Sequence, residues 1–223
     1  MIELPPYFGY RMTMLTEPTT QFYAICWLLA IVISITLHEL AHGWAAVRMG
    51  DDTPLHAGRL TGNPIVHMGP FSLIAMLFIG IAWGQMPIDP SRLRGRHAEA
   101  LVAAAGPAAN LILAIAALSL LGILGRYGVL VDDNQVADNA TIFLWVMGSA
   151  NLLLMLFNLL PIPPLDGSHI LATYNRPYRD FFADPSKQGF ALLAFIFAWM
   201  IFSPIVVPPV LTAATAYLDL LAG

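Results

Sequence analysis

Long apolar segments separated by short polar ones dominate the chain, and they predict membrane-spanning helices. Residues 22–47, 100–125 and 140–160 each reach or exceed the ~20 residues that a helix needs to cross a bilayer. The last apolar stretch, 189–221, is longer than one span requires, and three prolines interrupt it. We therefore expect it to form a broken helix or a helical hairpin rather than one straight span.

The segment after the first span follows a different pattern. Residues 48–70 are rich in Gly, Pro, Asp and Thr, and residues 58–61 have some strand character. Residues 71–86 are apolar but short for a complete crossing. We expect a short membrane-associated β region here, followed by a segment that either is re-entrant, so that it dips into the bilayer and returns, or lies at the membrane interface.

The composition agrees with this pattern, because 58% of the residues are hydrophobic and only 11% are charged. The mean hydropathy is +0.70, which is typical of an all-α polytopic membrane protein. We expect residues 1–223 to form a single intramembrane domain built as one transmembrane helix bundle. The net charge of −4 gives no support to a nucleic-acid partner. Residues 1–18 lack a positively charged start, so no cleavable signal peptide is expected.

The distribution of basic residues predicts the orientation of the bundle. If residues 71–86 return rather than cross, eight basic residues lie on one side and only Arg11 and Arg126 on the other. The eight are Arg48, Arg59, Arg92, Arg94, Arg96, Arg176, Arg179 and Lys187. Because cytoplasmic loops carry an excess of Lys and Arg, the side with eight is expected to be cytoplasmic.

Candidate chemistry lies at the end of the first apolar run, in the sequence His38-Glu39-Leu40-Ala41-His42. Residues i and i+4 share one face of a helix, so both histidines can bind one metal ion, and Zn²⁺ suits two imidazoles. Glu39 can act as a general base toward water beside that metal. Residues 22–37 carry no charge, and His38 precedes Arg48 by ~15 Å of helix, about half of the hydrocarbon core. Ionisable groups at that depth indicate a functional site.

A catalytic zinc site usually has three protein ligands, so the sequence must supply another one. The candidate is Asp166, which follows a full span and the proline-rich stretch 161–164. These prolines end the helix and allow the chain to return into the protein interior. Asn158, on the last turns of that span, could donate a hydrogen bond to a developing oxyanion. Taken alone, Asp166-Gly167 is typical of a turn.

These motifs resemble those of the site-2 protease family of intramembrane zinc metalloproteases. The resemblance spans about residues 37–175. Besides the two motifs above, it includes Gly58-Arg59-Leu60-Thr61-x-Asn63-Pro64 with His67, Trp83-Gly84 with Pro87, and Ala105-Gly106-Pro107-x-x-Asn110. The best match is the small bacterial and archaeal branch without PDZ or CBS domains, which implies a multi-pass protein of a bacterial or archaeal cell membrane.

The resemblance implies that the chain cleaves a transmembrane segment of a membrane-protein substrate within the bilayer. It implies His38, His42 and Asp166 as ligands of one Zn²⁺ per chain, Glu39 as the base and Asn158 as a stabiliser of the transition state. It also implies that residues 48–70 offer a β edge to the substrate. The active site is expected nearer the cytoplasmic face. A membrane metal or proton transporter, and a catalytically silent scaffold of the same fold, stay open as alternatives.

Three other polar residues have open roles. His67 could contact the substrate or a second metal, or it could hydrogen-bond within its loop. His169, three residues after Asp166, could support the metal site. Asn110 is expected to bond across helices rather than to act directly in catalysis.

Overall fold

The computed structural model describes residues 12–17, 20–130 and 135–222, most of which are helical. The helices are α1 (Gln21–Arg48), α2 (Thr53–His56), α3 (Pro64–Ile79), α4 (Ala98–Arg126), α5 (Gln135–Asn158), α6 (Asp166–Tyr174), α7 (Arg176–Ala183) and α8 (Gln188–Ala222). Four of them, α1, α4, α5 and α8, are long and apolar enough to cross a membrane. The predicted all-α polytopic membrane protein is therefore confirmed. The prediction about a signal peptide in residues 1–18 lies largely outside the described residues.

Helices α1, α4 and α5 pack against one another and form the core of the bundle, and α8 packs on α4 and α5. The contact of α5 with α4 is close because Gly148 has no side chain. A Cβ at this position would lie 2.5 Å from Cγ of Leu118. Small residues permit such close helix packing where burial in lipid supplies little driving force.

The prediction of a broken helix or hairpin at 189–221 is wrong. Residues Gln188–Ala222 form one helix that contains Pro204, Pro208 and Pro209. Each proline removes one amide donor and disturbs one turn, but helices in lipid tolerate such local losses. The prolines therefore do not divide this span.

The predicted β region at 48–70 is also wrong, because no strand occurs within the described residues. The separate re-entrant segment predicted at 71–86 is not supported either, because residues 71–79 are the second half of a helix that begins at Pro64. In residues 48–70, side-chain hydrogen bonds to the backbone favour turns and helix starts instead. The buried Asp51 carboxylate accepts from the amide of Thr53 at 3.0 Å and from its hydroxyl at 2.5 Å, directly before α2. Asn63 Oδ1 accepts from the amide of Ile65 at 3.0 Å and caps α3.

Helix α3 and the residues after it form a helix-and-return unit. The helix has non-helical geometry at Gly69 (φ 68°, ψ 165°) and ends at Gly80 in the left-handed region, which glycine adopts without a Cβ penalty. Residues 81–89, here called the return segment, have no regular secondary structure and run back along α3. The Ser72 hydroxyl bonds to both the carbonyl and the amide of Trp83, and the amide of Gln85 donates to the His67 carbonyl.

The return segment ends beside the last turn of α1. The Asp89 amide donates to Asp51 Oδ2 at 2.7 Å, and the Arg94 amide donates to the Met49 carbonyl at 2.7 Å. Desolvation raises the pKa of Asp51, but hydrogen bonds from Thr53 and Asp89 outweigh it and hold the pKa below its usual range. These bonds place the end of α1 and the start of the 90–96 loop at the same end of the bundle.

Candidate metal centre

His38, His42 and Asp166 come together between α1 and α6. The Nε2 atoms of the two histidines are 2.9 Å apart. Nε2 of His38 lies 3.2 Å from Asp166 Oδ2, and Nε2 of His42 lies 3.3 Å from Asp166 Oδ1. Both histidines are buried. A potential ligand atom from each of the three residues lies within 4.8 Å of the others, so the group can hold a metal ion.

The outer nitrogen of each histidine is hydrogen-bonded to α4. Nδ1 of His42 lies 2.7 Å from the carbonyl oxygen of Val102, and Nδ1 of His38 lies 2.6 Å from Asn110 Oδ1. Because a carbonyl oxygen only accepts, both Nδ1 atoms carry the proton and donate. The two Nε2 atoms consequently present lone pairs to each other and to the carboxylate, as metal-ligating histidines do.

Hydrogen bonds within the described part of the chain do not satisfy the whole Asp166 carboxylate. Asp166 Oδ2 is buried and has no hydrogen-bond partner among the described residues. Two imidazole lone pairs and a carboxylate oxygen would repel one another at these distances, whereas a cation between them would stabilise all three. Two neutral imidazoles and one carboxylate are a donor set that fits Zn²⁺.

Gly106 of α4 packs directly against the edges of both histidines that carry the ligand atoms. A Cβ at this position would lie 2.5 Å from His38 Nε2 and closer still to His42 Nε2. Real Cβ atoms do not make contacts this short, so only glycine allows α4 to approach the two nitrogens this closely. A side chain at this position would crowd the two nitrogens and the space that a metal ion needs beside them.

The break after α5 brings Asp166 into the bundle. Helix α5 ends at Asn158, and Asp166 is the first residue of α6. Gly167 packs directly on the preceding turn, since a Cβ there would lie 2.5 Å from the carbonyl oxygen of Leu160. The sequence Asp166-Gly167 is therefore part of a tight return, and its turn character and its place at the cluster are compatible.

Glu39 lies next to His38 on α1 and packs against the return segment. A Cβ at Gly84 would lie 2.5 Å from Glu39 Cγ and would collide with its carboxylate. The Glu39 side chain is buried. The carboxylate is therefore confined between α1 and the backbone of residue 84, on the same helix as the two histidines.

Asn158 is the predicted site residue that the structure does not bring into the cluster. Its Nδ2 donates to the Leu154 carbonyl at 2.9 Å within its own helix. The amide is half-buried at the end of α5.

The three residues with open roles are each assigned a contact. His67 Nε2 lies 2.6 Å from the Thr61 carbonyl. This contact corresponds to the alternative in which His67 hydrogen-bonds within its own loop. His169 Nδ1 lies 3.5 Å from Glu99 Oε1, away from Asp166. Asn110 bonds across helices, as expected.

Sequence reasoning missed two contributors to the site, Gly84 and Asn151. Gly84 is part of the motif Trp83-Gly84 with Pro87, but nothing in the sequence places it against Glu39. Asn151 is a fully buried amide that accepts from Asn110 Nδ2 at 2.7 Å. Its position in the middle of an apolar span was the available signal, because polar groups at that depth are costly.

A helical membrane bundle with a buried His-His-Asp cluster and an adjacent glutamate defines a membrane metalloprotease. A sequence model of peptidase family M50 matches residues 26–131 and 122–202. The chain belongs to this family, the site-2 protease family that its motifs resemble.

Named relatives agree with this assignment. YwhC of Bacillus subtilis, named as a zinc metalloprotease, is 38% identical over 174 residues, which are 76% of this chain and 78% of YwhC. Rip2 of Mycolicibacterium smegmatis, also named as a zinc metalloprotease, is 31% identical over 174 residues, 73% of this chain and 62% of Rip2. Rip2 of Mycobacterium tuberculosis is 29% identical over 172 residues, 73% of this chain and 61% of that protein. No solved structure matches the chain at comparable significance.

Proposed function

We propose that this chain is an intramembrane zinc endopeptidase that hydrolyses peptide bonds in transmembrane segments of membrane proteins. The observation that carries the proposal is the buried cluster of His38, His42 and Asp166 beside Glu39. His38, Glu39 and His42 lie on α1, whose residues 22–37 carry no charge. A hydrolytic site at that depth can act only on a substrate that also lies within the bilayer. Residues 1–223 would act as one intramembrane metalloprotease domain.

The proposed cofactor is one Zn²⁺ per chain, held by His38 Nε2, His42 Nε2 and Asp166. The names of the relatives and the donor set both favour zinc. When bound, zinc supplies Lewis acidity, which makes water a better nucleophile and polarises the scissile carbonyl. The bonds from His38 to Asn110 and from His42 to Val102 hold the two imidazoles in the orientation that binding requires.

Glu39 is proposed to move the proton that hydrolysis requires. Its carboxylate accepts a proton from the attacking water as the carbon–oxygen bond forms at the scissile carbonyl. It then returns the proton to the leaving amine nitrogen as the C–N bond breaks, so that one water is consumed for each bond cut. Confinement against Gly84 keeps the carboxylate close to the cluster.

Asn158 is proposed to donate a hydrogen bond to the oxyanion that forms on the substrate carbonyl. Its Nδ2 first has to leave the Leu154 carbonyl, to which it donates at 2.9 Å. That bond is local to one turn at the end of α5, so a side-chain rotation is sufficient. The shift would take place when substrate is bound.

The return segment replaces residues 48–70 as the proposed docking edge for substrate. Its residues form neither helix nor strand, and the amides of Trp83 and Gln85 donate to α3. Within the described part of the chain, the backbone of Gly84 makes no hydrogen bond, and Glu39 lies against it. An unwound substrate strand could pair with this backbone, which would place its peptide bonds beside the proposed base.

The active site is proposed to lie nearer the cytoplasmic face. Hydrogen bonds from Asp89 and Arg94 keep the 90–96 loop beside the end of α1, and α6 packs on α4 near Glu99. Arg126 lies at the opposite end of α4, where it donates to the Leu221 carbonyl. This arrangement supports the grouping of eight basic residues against two, which favours a cytoplasmic position for the larger group.

The proposed function is tested with the purified protein in proteoliposomes that also contain a membrane-protein extract. New peptide termini are mapped by mass spectrometry with zinc present, after removal of zinc by a chelator, and after zinc is restored. We expect termini inside apolar segments that disappear on removal of zinc and return with it. Termini confined to polar loops, or cleavage that survives the chelator, would contradict the proposal. A cleaved protein identified in this way supplies the substrate for the variants described below.

Gly84→Ala is expected to slow cleavage of that substrate by about 100-fold with zinc content unchanged. The added Cβ would collide with the Glu39 carboxylate and displace it, and a misplacement of ~1 Å can cost on the order of 100-fold in rate. The measurement is kcat together with zinc per protein. Gly62→Ala is the matched control, because a Cβ there meets nothing within 4 Å. Equal rates for the two variants would show that Gly84 does not confine the base.

A further inference from the structure

A line of buried polar side chains leads from the metal centre through the core of the bundle. His38 on α1 bonds to Asn110 on α4, and Asn110 Nδ2 donates to Asn151 Oδ1 on α5 at 2.7 Å. Asn151 Nδ2 lies 2.7 Å from the Ser34 hydroxyl on α1 and 2.8 Å from the Met147 carbonyl, with Met147 Sδ at 3.2 Å. Ser34, Asn110 and Asn151 are at most 1% exposed. Side chains at this depth cannot exchange their partners with bulk water.

The contacts of Asn151, at the end of the line away from the metal centre, decide which group donates and which accepts in each hydrogen bond. The Met147 carbonyl only accepts, so the group of Asn151 that faces it must be the NH₂ group. The Ser34 hydroxyl donates to the Ala30 carbonyl at 2.5 Å, which leaves its oxygen to accept from the same NH₂ group. The oxygen of Asn151 is then turned toward Asn110.

The same logic continues to the metal centre. Because Asn151 presents its oxygen, Asn110 must present its NH₂ group to Asn151 and its own oxygen to His38. An oxygen opposite His38 Nδ1 requires that this nitrogen carries the proton. The lone pair of His38 is therefore on Nε2, which faces His42 and Asp166. His42 does not need such a line, because the Val102 carbonyl fixes its tautomer directly.

We propose that Asn151 is a positioning residue for the metal centre: through Asn110 it fixes the His38 imidazole with the Nε2 lone pair directed at the metal. This inference rests on the proposed zinc site. Without an acceptor at residue 151, the amide of Asn110 is free to rotate and to present NH₂ to His38 Nδ1. That orientation favours the tautomer with the proton on Nε2. The Nε2 atom, which faces His42 and Asp166, then has no lone pair with which to bind a metal.

Asn151→Ser tests this proposal. A serine is too short to reach Asn110, and its hydroxyl can bond to the carbonyl four residues earlier, as Ser149 does to Trp145 in the same helix. We expect zinc affinity, measured by competition with a chromogenic chelator on the purified protein, to fall 10- to 100-fold, the usual loss when a partner of a metal ligand is removed. An affinity within threefold of wild type would overturn the proposal. Asn151→Leu tests the same loss without a polar group.

Ser149→Ala is the matched control. Ser149 is fully buried on α5, and among the described residues its hydroxyl bonds only within its own helix, so its loss perturbs the same region without touching the line to His38. We expect this variant to retain wild-type zinc affinity. If Ser149→Ala weakens zinc as much as Asn151→Ser does, the positioning role is wrong.

A double-variant cycle separates positioning from general destabilisation. Asn110→Asp provides only acceptor atoms to His38, so its orientation no longer depends on residue 151. In that background, Asn151→Ser should weaken zinc by less than about threefold, whereas an equal loss in both backgrounds would overturn the proposal. The zinc-site proposal fails independently if the wild-type protein and His38→Ala bind zinc equally. If His38→Ala loses zinc and Asn151→Ser does not, only the positioning role fails.

Discussion

Glu39→Gln is expected to abolish proteolysis while leaving zinc bound. The amide keeps the size of the side chain and its position against Gly84, but it cannot accept a proton from water. Loss of a general base typically costs 10²–10⁴-fold in rate, so cleavage should fall by at least about 100-fold. His38, His42 and Asp166 are unchanged, and the zinc content should stay at the wild-type value.

The measurement is the cleavage rate of the identified substrate together with zinc per protein, and Glu99→Gln is the control. Glu99 is a partly exposed acid on α4 that lies near His169 rather than in the cluster. Its substitution makes the same chemical change close to the site and should leave the rate within about twofold. A rate for Glu39→Gln within tenfold of wild type would assign the proton transfer to another group. If the protein were a catalytically silent scaffold, neither the wild type nor Glu39→Gln would cleave the substrate.

Gly106→Ala is expected to eliminate zinc binding and, with it, activity. The methyl group would occupy the space in front of both Nε2 atoms, 2.5 Å from that of His38 and closer to that of His42. The imidazoles cannot move aside easily, because Asn110 and Val102 hold their outer nitrogens. We therefore expect zinc affinity to fall by more than 100-fold, measured by chelator competition.

Gly122→Ala controls for the packing cost of this change. It adds the same methyl group to the same helix, where the Cβ would lie 2.8 Å from Leu221 of α8 and far from the cluster. Both variants should lose some thermal stability, but only Gly106→Ala should lose zinc. If Gly106→Ala binds zinc as tightly as Gly122→Ala does, zinc binding does not depend on the close approach of residue 106 to the two histidines.

The sequence predicts the spans and the three residues that form the cluster, because both follow from simple geometry. In lipid, a long charge-free segment can pair all its backbone amides and carbonyls within itself only as a helix. Helices α1, α4 and α5 lie where such segments occur. His38 and His42 share a face because of the helical period. Asp166 was a candidate because the prolines at 161–164 end α5 and allow the chain to turn back.

The errors arise where several local preferences compete. Residues 48–70 contain β-forming residues, but the Asp51 carboxylate and the Asn63 cap satisfy backbone amides locally and favour turns and helices. The prolines of 189–221 would end a helix in water, whereas in α8 they remove single hydrogen bonds. Local pattern alone does not decide between such outcomes.

Gly84 and Asn151 could not be assigned roles from the sequence because their roles depend on distant partners. Gly84 matters through Glu39, and Asn151 matters through Asn110 and Ser34. Nothing in the spacing of these residues encodes their contacts. Only the three-dimensional packing places the Asn151 amide within hydrogen-bond distance of Asn110 and Ser34.

The most direct test of the central claim is the metal content of the purified protein. Elemental analysis of wild type, His38→Ala and Asp166→Ala in detergent compares two ligands that are distant in sequence and 3.2 Å apart in the structure. We expect about one zinc per chain in wild type and little or none in both variants, since a site with two protein ligands binds zinc much more weakly than one with three. Zinc that is undiminished in Asp166→Ala would contradict the assignment of the third ligand and with it the proposed site.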